Sequence, residues 1–148
     1  MGRILGIDLG EKRVGLAISD PTGLLVVDSW VLERQGGQAD LDSLARLCRE
    51  RGVDRIVVGL PRSLEGGLGP QAQLTLAFVE RLAQATGLPV DTWDERLSTV
   101  AAERALRESG MRREKRRQHR DAVAAALLLQ SYLDRSILPS AGAPQTTD

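Results

Sequence analysis

Three carboxylates stand in sequence surroundings that favour chemistry over simple solvation. Asp8 lies in the run ILGIDLG, where an ionised carboxylate is costly unless it is paired, hydrogen-bonded or bound to a cation. Glu95 directly follows an apolar segment, and Asp121 precedes AVAAALLL, a run that we expect to be buried on every side. Each acid also has an ordinary structural explanation: a turn before Gly10, a surface acid at a helix start, and a helix N-cap, respectively.

The shortage of other metal ligands narrows the chemistry of these acids. The chain has one His and one Cys, which excludes a histidine-rich or thiolate metal site. Carboxylate oxygens alone select hard divalent cations, Mg²⁺ or Mn²⁺. Two such ions about 4 Å apart can activate water and stabilise the leaving oxygen of a phosphodiester, so that no protein base is needed. If the three acids converge, they predict a metal-dependent phosphodiester hydrolase.

The apolar pattern predicts the elements that would bring the acids together. Short apolar runs predict strands over 3–9, 14–19, 24–32, 54–59 and 89–93. Helical spacing predicts helices over 38–51, 71–85 and 100–109, and a last helix from the basic segment to residue 134. The order β-β-β-α-β-α-β-α-α predicts an α/β fold with a mixed five-stranded sheet flanked by helices. Sites in such folds form at strand ends and helix starts.

Two helical stripes carry more specific expectations. In the first helix, Cys48 shares a stripe with Leu41, Leu44 and Ala45, which predicts a buried thiol rather than a nucleophile. In the second helix, the predicted inward stripe consists of Leu74, Phe78, Leu82 and Ala85.

Length and composition limit the class of protein. The 148 residues suit one domain over 1–138, and the small, polar residues 139–148 predict a disordered tail. No run approaches the roughly 20 apolar residues that a membrane span needs, and the N-terminus lacks a signal-peptide pattern, so we expect a cytoplasmic protein without a membrane partner. Four aromatic residues are too few for a protein that stacks single-stranded bases on aromatic platforms.

The zero net charge conceals one strongly basic segment. Residues 112–120, RREKRRQHR, hold six basic residues and one acidic residue, so the rest of the chain carries the balancing negative charge. Clustered Arg and Lys are typical of phosphate contacts, although a solvated helix end explains such a run equally well. The candidate nucleic-acid contacts in this segment are Arg112, Arg113, Lys115, Arg116, Arg117 and Arg120.

Four linked motifs resemble the YqgF/RuvX family, in order over about residues 3–134. The first is GIDLG with Arg13, Gly15, Ala17, Ser19 and Asp20; the second is Gly59-Leu60-Pro61; the third is Asp94-Glu95-Arg96 with Ser98 and Thr99; the fourth is Asp121 with Ala124, Ala125, Leu129, Gln130, Tyr132 and Leu133. One motif alone would be weak, but four in family spacing are specific.

The resemblance implies a ribonuclease H-like fold, related to Holliday-junction resolvases, and divalent-metal cleavage of nucleic acid. It places the catalytic and metal-binding positions at Asp8, Glu95 and Asp121. It also implies site-shaping or phosphate-binding positions at Arg13, Arg96, Ser98 and Thr99, and accessory positions at Glu65 and Asp94. The sequence departs from the family before the last aspartate, where the usual apolar residue is replaced by Arg120, preceded by His119, a candidate accessory residue for proton transfer. For Glu65 we favour an ordinary loop glutamate, for His119 a surface role, and for Asp20 a structural role in a turn.

Several functions remain open at this point. The family is implicated in maturing the 5′ end of pre-16S rRNA, and some members are described as junction resolvases; we favour the first. A resolvase of four-way DNA should be a two-fold symmetric homodimer, whereas an rRNA nuclease could be a monomer. A nucleotide-binding module would need two lobes and a phosphate loop that the chain lacks. A non-catalytic nucleic-acid scaffold would have no use for Asp8.

Overall fold

A mixed five-stranded sheet forms the centre of the molecule. In a computed structural model, which describes residues 2–61, 67–97, 100–109 and 120–137, the strands lie in the order β3-β2-β1-β4-β5. Strands β1 to β3 pair antiparallel, whereas β4 and β5 run parallel to β1. The predicted α/β class and mixed sheet are confirmed. The strands are β1 (Arg3–Leu9), β2 (Arg13–Ser19), β3 (Val26–Glu33), β4 (Val53–Leu60) and β5 (Val90–Asp94).

Helices cover both faces of this sheet. Residues from α1 and α2 pack against one face, and residues from α3 and α4 pack against the other. None of the helices in the described ranges is long and apolar enough to cross a membrane. The helices are α1 (Gly37–Arg51), α2 (Pro70–Thr86), α3 (Val100–Ser109) and α4 (Arg120–Ile137), with a 3-10 helix at Glu95–Leu97 that the sequence pattern did not predict.

Alternation along β1 decides which face receives Asp8. Leu5 and Ile7 are fully buried in the core that contains α1 and α2. Because successive side chains of a strand point to opposite faces, Gly6 and Asp8 face α4. A side chain at Gly6 would indeed meet Leu129 of α4, since its Cβ would lie 2.8 Å from the Leu129 Cβ. Asp8 is therefore directed to the α4 face of the sheet.

Gly15 lets the start of α4 lie directly on β2. Gly15 pairs with Asp8 across the β1–β2 ladder. A Cβ at this position would lie 2.3 Å from the backbone oxygen of Asp121 and 3.3 Å from the Cβ of Ala125. Only a residue without a side chain permits this approach, so Gly15 determines how closely Asp121 can come to Asp8.

The predicted start of β3 at residue 24 is wrong, because the backbone there forms hydrogen bonds with side chains instead of with a neighbouring strand. The Asp20 carboxylate accepts hydrogen bonds from the amides of Leu24 and Leu25, at 2.9 and 3.0 Å. The buried Gln130 of α4 accepts from the Val26 amide at 3.0 Å and donates to the Leu24 oxygen at 3.1 Å. The strand consequently begins at Val26.

The predicted apolar stripe of α2 is correct for three of its members and wrong for Leu74. Phe78 and Leu82 are buried and Ala85 packs partly buried against the same core, whereas Leu74 is 65% exposed. The buried stripe starts instead with Ala72 and Thr75. Leu74 lies about 100° around the helix from Thr75 and so falls outside the stripe. In α1, the prediction of a buried Cys48 is confirmed, since the residue is 3% exposed.

Candidate active site

Asp8 and Glu95 meet at the carboxyl edge of the parallel strands. Asp8 lies near the end of β1, and Glu95 is the first residue after β5. Strand β4 lies between them, and Gly59 of β4 makes their contact possible. A Cβ at Gly59 would lie 2.9 Å from the Oε2 atom of Glu95, so the Glu95 side chain crosses β4 where that strand has no side chain. The glycine of the second sequence motif thus has a direct role in the site.

The two carboxyl groups lie close enough to share a hydrogen bond, which requires a proton on one of them. Burial, the charge of Asp8, the hydrogen bond to Asp8 and the charge of Asp94 together raise the pKa of Glu95 to about 7. Burial also raises the pKa of Asp8; a hydrogen bond from Glu95 opposes that rise, and the charge of Asp121 adds to it. Two ionised carboxylates in this position would repel each other, so the pair favours a bound positive charge.

Asp121 completes the negative cluster from the third element. It lies in the first turn of α4, so the N-cap explanation for this residue is wrong. Its carboxylate is near enough to Asp8 to raise the pKa of that group by repulsion. The Arg13 Nε atom lies 3.5 Å from the Asp121 Oδ2 atom, and both side chains are 40% exposed. The structure therefore brings all three predicted acids to one edge, with Arg13 beside them.

The donor set fits a divalent metal ion at Asp8 and Glu95. Both groups supply carboxylate oxygens, which Mg²⁺ and Mn²⁺ prefer, and a cation between them would take the place of the shared proton. Within the described ranges, no group of three or more His, Cys, Asp or Glu side chains is arranged to hold a metal ion. Asp121, which pairs with Arg13, thus stands apart from the close contact of the other two acids.

A pocket of about 180 Å³ adjoins the acidic pair. Sequence reasoning missed two of its residues, Trp93 and Ser131, although an aromatic residue two positions before Glu95 and a hydroxyl within an apolar helix were visible signals. The expectation that AVAAALLL is buried on every side is wrong, because Ala124 and Leu127 are only half-buried and face this pocket. We call it the Trp93 pocket; it is lined by Asp8, Trp93, Glu95, Ala124, Leu127, Leu128 and Ser131.

Asp94 and Arg96 form an ion pair beside the acidic pair. The Arg96 amide and guanidinium donate to the Asp94 carboxylate, the closest at 2.7 Å. This hydrogen bonding raises the pKa of Arg96 and fixes the 3-10 turn that follows β5. The arrangement directs Asp94 toward Arg96, whereas Glu95 reaches across Gly59.

The remaining sequence-predicted residues divide into two groups. Asp20 has the structural role that we favoured, since it accepts hydrogen bonds from Thr22, Leu24 and Leu25. Arg120 begins α4 and is exposed. Glu65, Ser98, Thr99, Arg112, Arg113, Lys115, Arg116, Arg117 and His119 lie outside the described residues, as does the predicted tail.

Similar structures confirm the fold that the sheet indicates. The structure described as Thermus thermophilus RuvC in complex with Holliday junction substrate matches with a TM-score of 0.61 and 17% sequence identity, over 95% of this chain and 98% of that one. The fowlpox virus Holliday junction resolvase matches with a TM-score of 0.58 and 14% identity, over 92% and 99% of the two chains. At these identities the likeness shows the fold alone, which is ribonuclease H-like.

Sequence comparison is more specific. A relative from Symbiobacterium thermophilum, named "Putative pre-16S rRNA nuclease", is 52% identical over 132 residues, which cover 89% of this chain and 92% of the relative. A relative of the same name from Syntrophomonas wolfei is 47% identical over 89% and 94% of the two chains. A family model described as "RuvX: Holliday junction resolvase" matches residues 2–135. This chain belongs to the RuvX family.

Proposed function

We propose that this protein is a divalent-metal-dependent endonuclease that processes the 5′ end of pre-16S rRNA. The observation that carries the chemistry is the contact of Asp8 and Glu95 across Gly59, with the pKa of Glu95 raised to about 7. Two desolvated acids held together need a positive charge, and a nucleic-acid nuclease of this fold needs a metal there. The choice of rRNA rests on the names of relatives that are 42–52% identical to this chain.

In this proposal Asp8 and Glu95 hold Mg²⁺ or Mn²⁺, and Asp121 contributes a third carboxylate when substrate is present. When bound, the metal supplies Lewis acidity and a water of lowered pKa. The chain's own task is to keep the acids together. Gly59 and Gly15 perform that task by allowing Glu95 and α4 to approach β1.

Arg13 is the described cation best placed to contact the substrate backbone. Its side chain is 40% exposed, and its buried Nε atom lies against Asp121, so contact with a phosphate would be made by the terminal guanidinium nitrogens. An Arg fork is suited to phosphate oxygens, and a phosphate near the acids would lie within reach of it. Arg120 and Arg96 would add positive charge for the substrate backbone, and we propose that the sequence-predicted positions Ser98, Thr99 and the basic residues before Arg120 contact it as well.

A second candidate function is resolution of four-way DNA junctions. The family description favours it, since the matching model is named for a Holliday junction resolvase. The same acids would serve both polymers. A resolvase additionally requires two sites related by two-fold symmetry, so a homodimer in solution would favour this alternative and a monomer would favour rRNA processing.

Cleavage mapping on both substrates tests the proposal. Purified protein with Mn²⁺ or Mg²⁺ is incubated with an RNA spanning the 5′ end of mature 16S rRNA and, separately, with a four-way DNA junction. We expect a discrete cut in the RNA that EDTA abolishes. Asp8→Asn and Glu95→Gln should each lower the cleavage rate by at least 100-fold while RNA binding is retained.

The matched control is Asp54→Asn. Asp54 is an exposed acid that accepts a hydrogen bond from the Gly2 amide at the opposite end of the β1–β4 pair, so its substitution should leave the rate unchanged. Cleavage by Asp8→Asn at the parental rate would refute the assignment of the site. Cutting of the junction alone would refute the rRNA substrate and favour the second candidate.

A further inference from the structure

The Trp93 pocket is built differently from the acidic pair that it adjoins. Apart from Asp8 and Glu95 its walls are apolar, formed by Trp93, Leu127 and Leu128, because the buried Ser131 hydroxyl is already engaged by the Trp93 indole and the Leu128 oxygen. Metal-bound acids and a phosphate have no need for an apolar recess of about 180 Å³ beside them. Ligand sites that combine apolar walls with one or two polar groups are typical of small planar molecules.

Trp93 is held in one orientation by three residues of α4. Its indole N–H donates to the Ser131 Oγ atom at 2.6 Å. The Tyr132 ring meets it edge-on, with 5.7 Å between ring centroids. The exposed Arg135 guanidinium lies 5.6 Å from the Trp93 ring and 5.2 Å from the Tyr132 ring. An aromatic wall fixed before the ligand arrives loses little entropy on binding.

We propose that the Trp93 pocket receives the base of the nucleotide whose phosphate is held by the metal ion that Asp8 and Glu95 would bind. This inference rests on the proposed nuclease function. The two acids line the same pocket as Trp93, so a nucleotide whose phosphate meets a cation held by these acids has its base within reach of the indole. Stacking on an aromatic side chain accepts any base, because every base has a π-face.

The proposal also defines the structure of the substrate. A base inside the duplex stack cannot enter a side pocket unless it is unpaired or extruded from the helix. The preferred substrate is therefore a strand with an unpaired nucleotide beside the cut. The Arg135 guanidinium, next to Trp93, is placed to meet the following phosphate of such a strand.

A binding experiment tests the pocket without any cleavage. The chain has two tryptophans, and Trp30 packs on the other face of the sheet, so Trp30→Phe leaves Trp93 as the sole indole reporter. With Mg²⁺ present to offset the charge of Asp8 and Glu95, adenosine 5′-monophosphate should quench its fluorescence saturably, whereas ribose 5-phosphate, which lacks the base, should not. Adding Ala124→Leu fills the pocket and should abolish the quenching. Ala77→Leu, the same change at an exposed position of α2, should preserve it.

A second variant keeps the test decisive if Ala124→Leu fails to fold. Leu127→Ala removes a half-buried wall of the pocket and should weaken adenosine 5′-monophosphate binding about tenfold. Thermal melting of each variant distinguishes an altered pocket from an unfolded protein.

A cleavage experiment places the pocket relative to the cut. Substrates carrying one abasic nucleotide at successive positions around the mapped cut are compared by kcat/KM. Removing the base at one adjacent position should lower kcat/KM about tenfold, the usual effect of one lost base stack. The Ala124→Leu variant should cut intact substrate at that reduced level and should not respond to the abasic nucleotide. Pairing that nucleotide with a complementary strand should also slow the parent.

The outcomes separate the two proposals. If the nucleotide quenches Trp93 but no metal supports cleavage, the proposed function fails while the base subsite stands. If the parent cuts RNA and no abasic position changes kcat/KM more than twofold, the subsite is refuted while the nuclease function stands. Absence of quenching by adenosine 5′-monophosphate likewise refutes the subsite.

Discussion

Replacing Gly15 with alanine should separate two of the acids without altering either. The new Cβ would lie 2.3 Å from the backbone oxygen of Asp121, whereas ordinary van der Waals contact begins at 3.4 Å. The first turn of α4 must therefore move away from β2 by about 1 Å. The obstacle is helix backbone and not a flexible side chain, so rotation of a side chain cannot relieve it. Because Asp121 belongs to this turn, its carboxylate moves away from Asp8.

The expected effects on stability and on activity differ in size. Overpacking of this kind costs about 1–3 kcal/mol, and alanine recovers roughly 0.5–1 kcal/mol through its lower conformational freedom in the unfolded chain. The net cost is at most about 2.5 kcal/mol, so the melting temperature should fall by no more than roughly 10 °C. A misplacement of about 1 Å in a catalytic group can cost about 100-fold in rate, so kcat/KM should fall by about that factor.

The assay compares Gly15→Ala with Gly69→Ala in melting and in metal-dependent cleavage. A Cβ at Gly69 meets nothing within 4 Å, and its φ of −81° suits alanine; because Gly69 is the N-cap of α2, this control should lose about 1 kcal/mol of stability but keep its rate. In an Asp121→Asn background, Gly15→Ala should cause no further loss of activity, because both changes act through one group. A destabilised Gly15→Ala protein that cleaves at the parental rate would refute the claim that α4 positions Asp121.

Three further predictions concern single groups. The pKa of Glu95 is about 7 in the folded protein, whereas its ordinary value in the unfolded chain is near 4.5. The melting temperature of the metal-free protein should therefore decrease as pH rises through this interval. Glu95→Gln should flatten this dependence in EDTA, and an unchanged slope would contradict the assignment. Burial alone would raise the pKa of Asp20, but hydrogen bonds from Thr22, Leu25 and Leu24 have the larger effect and lower this pKa to about 2. Its contribution to stability is present above pH 4 and lost as pH falls through about 2; Asp20→Ala should cost about 1 kcal/mol in urea unfolding at pH 7, and equal stability would refute the turn's role. Burial raises the pKa of the Cys48 thiol to about 11, so a thiol reagent should modify it only at the rate of unfolding, and rapid labelling of the folded protein would contradict its burial.

The strands and the three acids could be predicted because their signals are local. An ionisable side chain inside ILGIDLG is costly wherever the strand lies, and the β-β-β-α-β-α-β order restricts the sheet to few topologies. The contact of Glu95 with Asp8 was not predictable in detail, because it depends on Gly59 of a third strand lying between them. The start of β3 was missed for the same reason, since Gln130, more than 100 residues away, captures the Val26 amide.

The half-buried face of α4 shows a different limit of sequence reasoning. The run AVAAALLL is uniformly apolar, and hydrophobicity alone assigns all of it to the core. Ala124 and Leu127 instead face the Trp93 pocket. The same apolar residue types line ligand pockets and fill cores. Only the position of the helix relative to Trp93 separates the two cases.

The convergence of the acids is encoded largely by missing side chains. The absence of a side chain at Gly59 allows the Glu95 side chain to cross β4, and its absence at Gly15 allows the backbone at Asp121 to pack directly on β2. Each glycine weakens its strand by roughly 0.5–1 kcal/mol relative to alanine, and the repulsion between Asp8 and Glu95 adds to that cost. A sheet selected for stability alone would carry side chains at both glycines and would keep the carboxylates apart. Both glycines weaken the sheet, and both lie at the edge where the acids meet. Their presence is explained if the function of this edge is to bring the acids together around a cation.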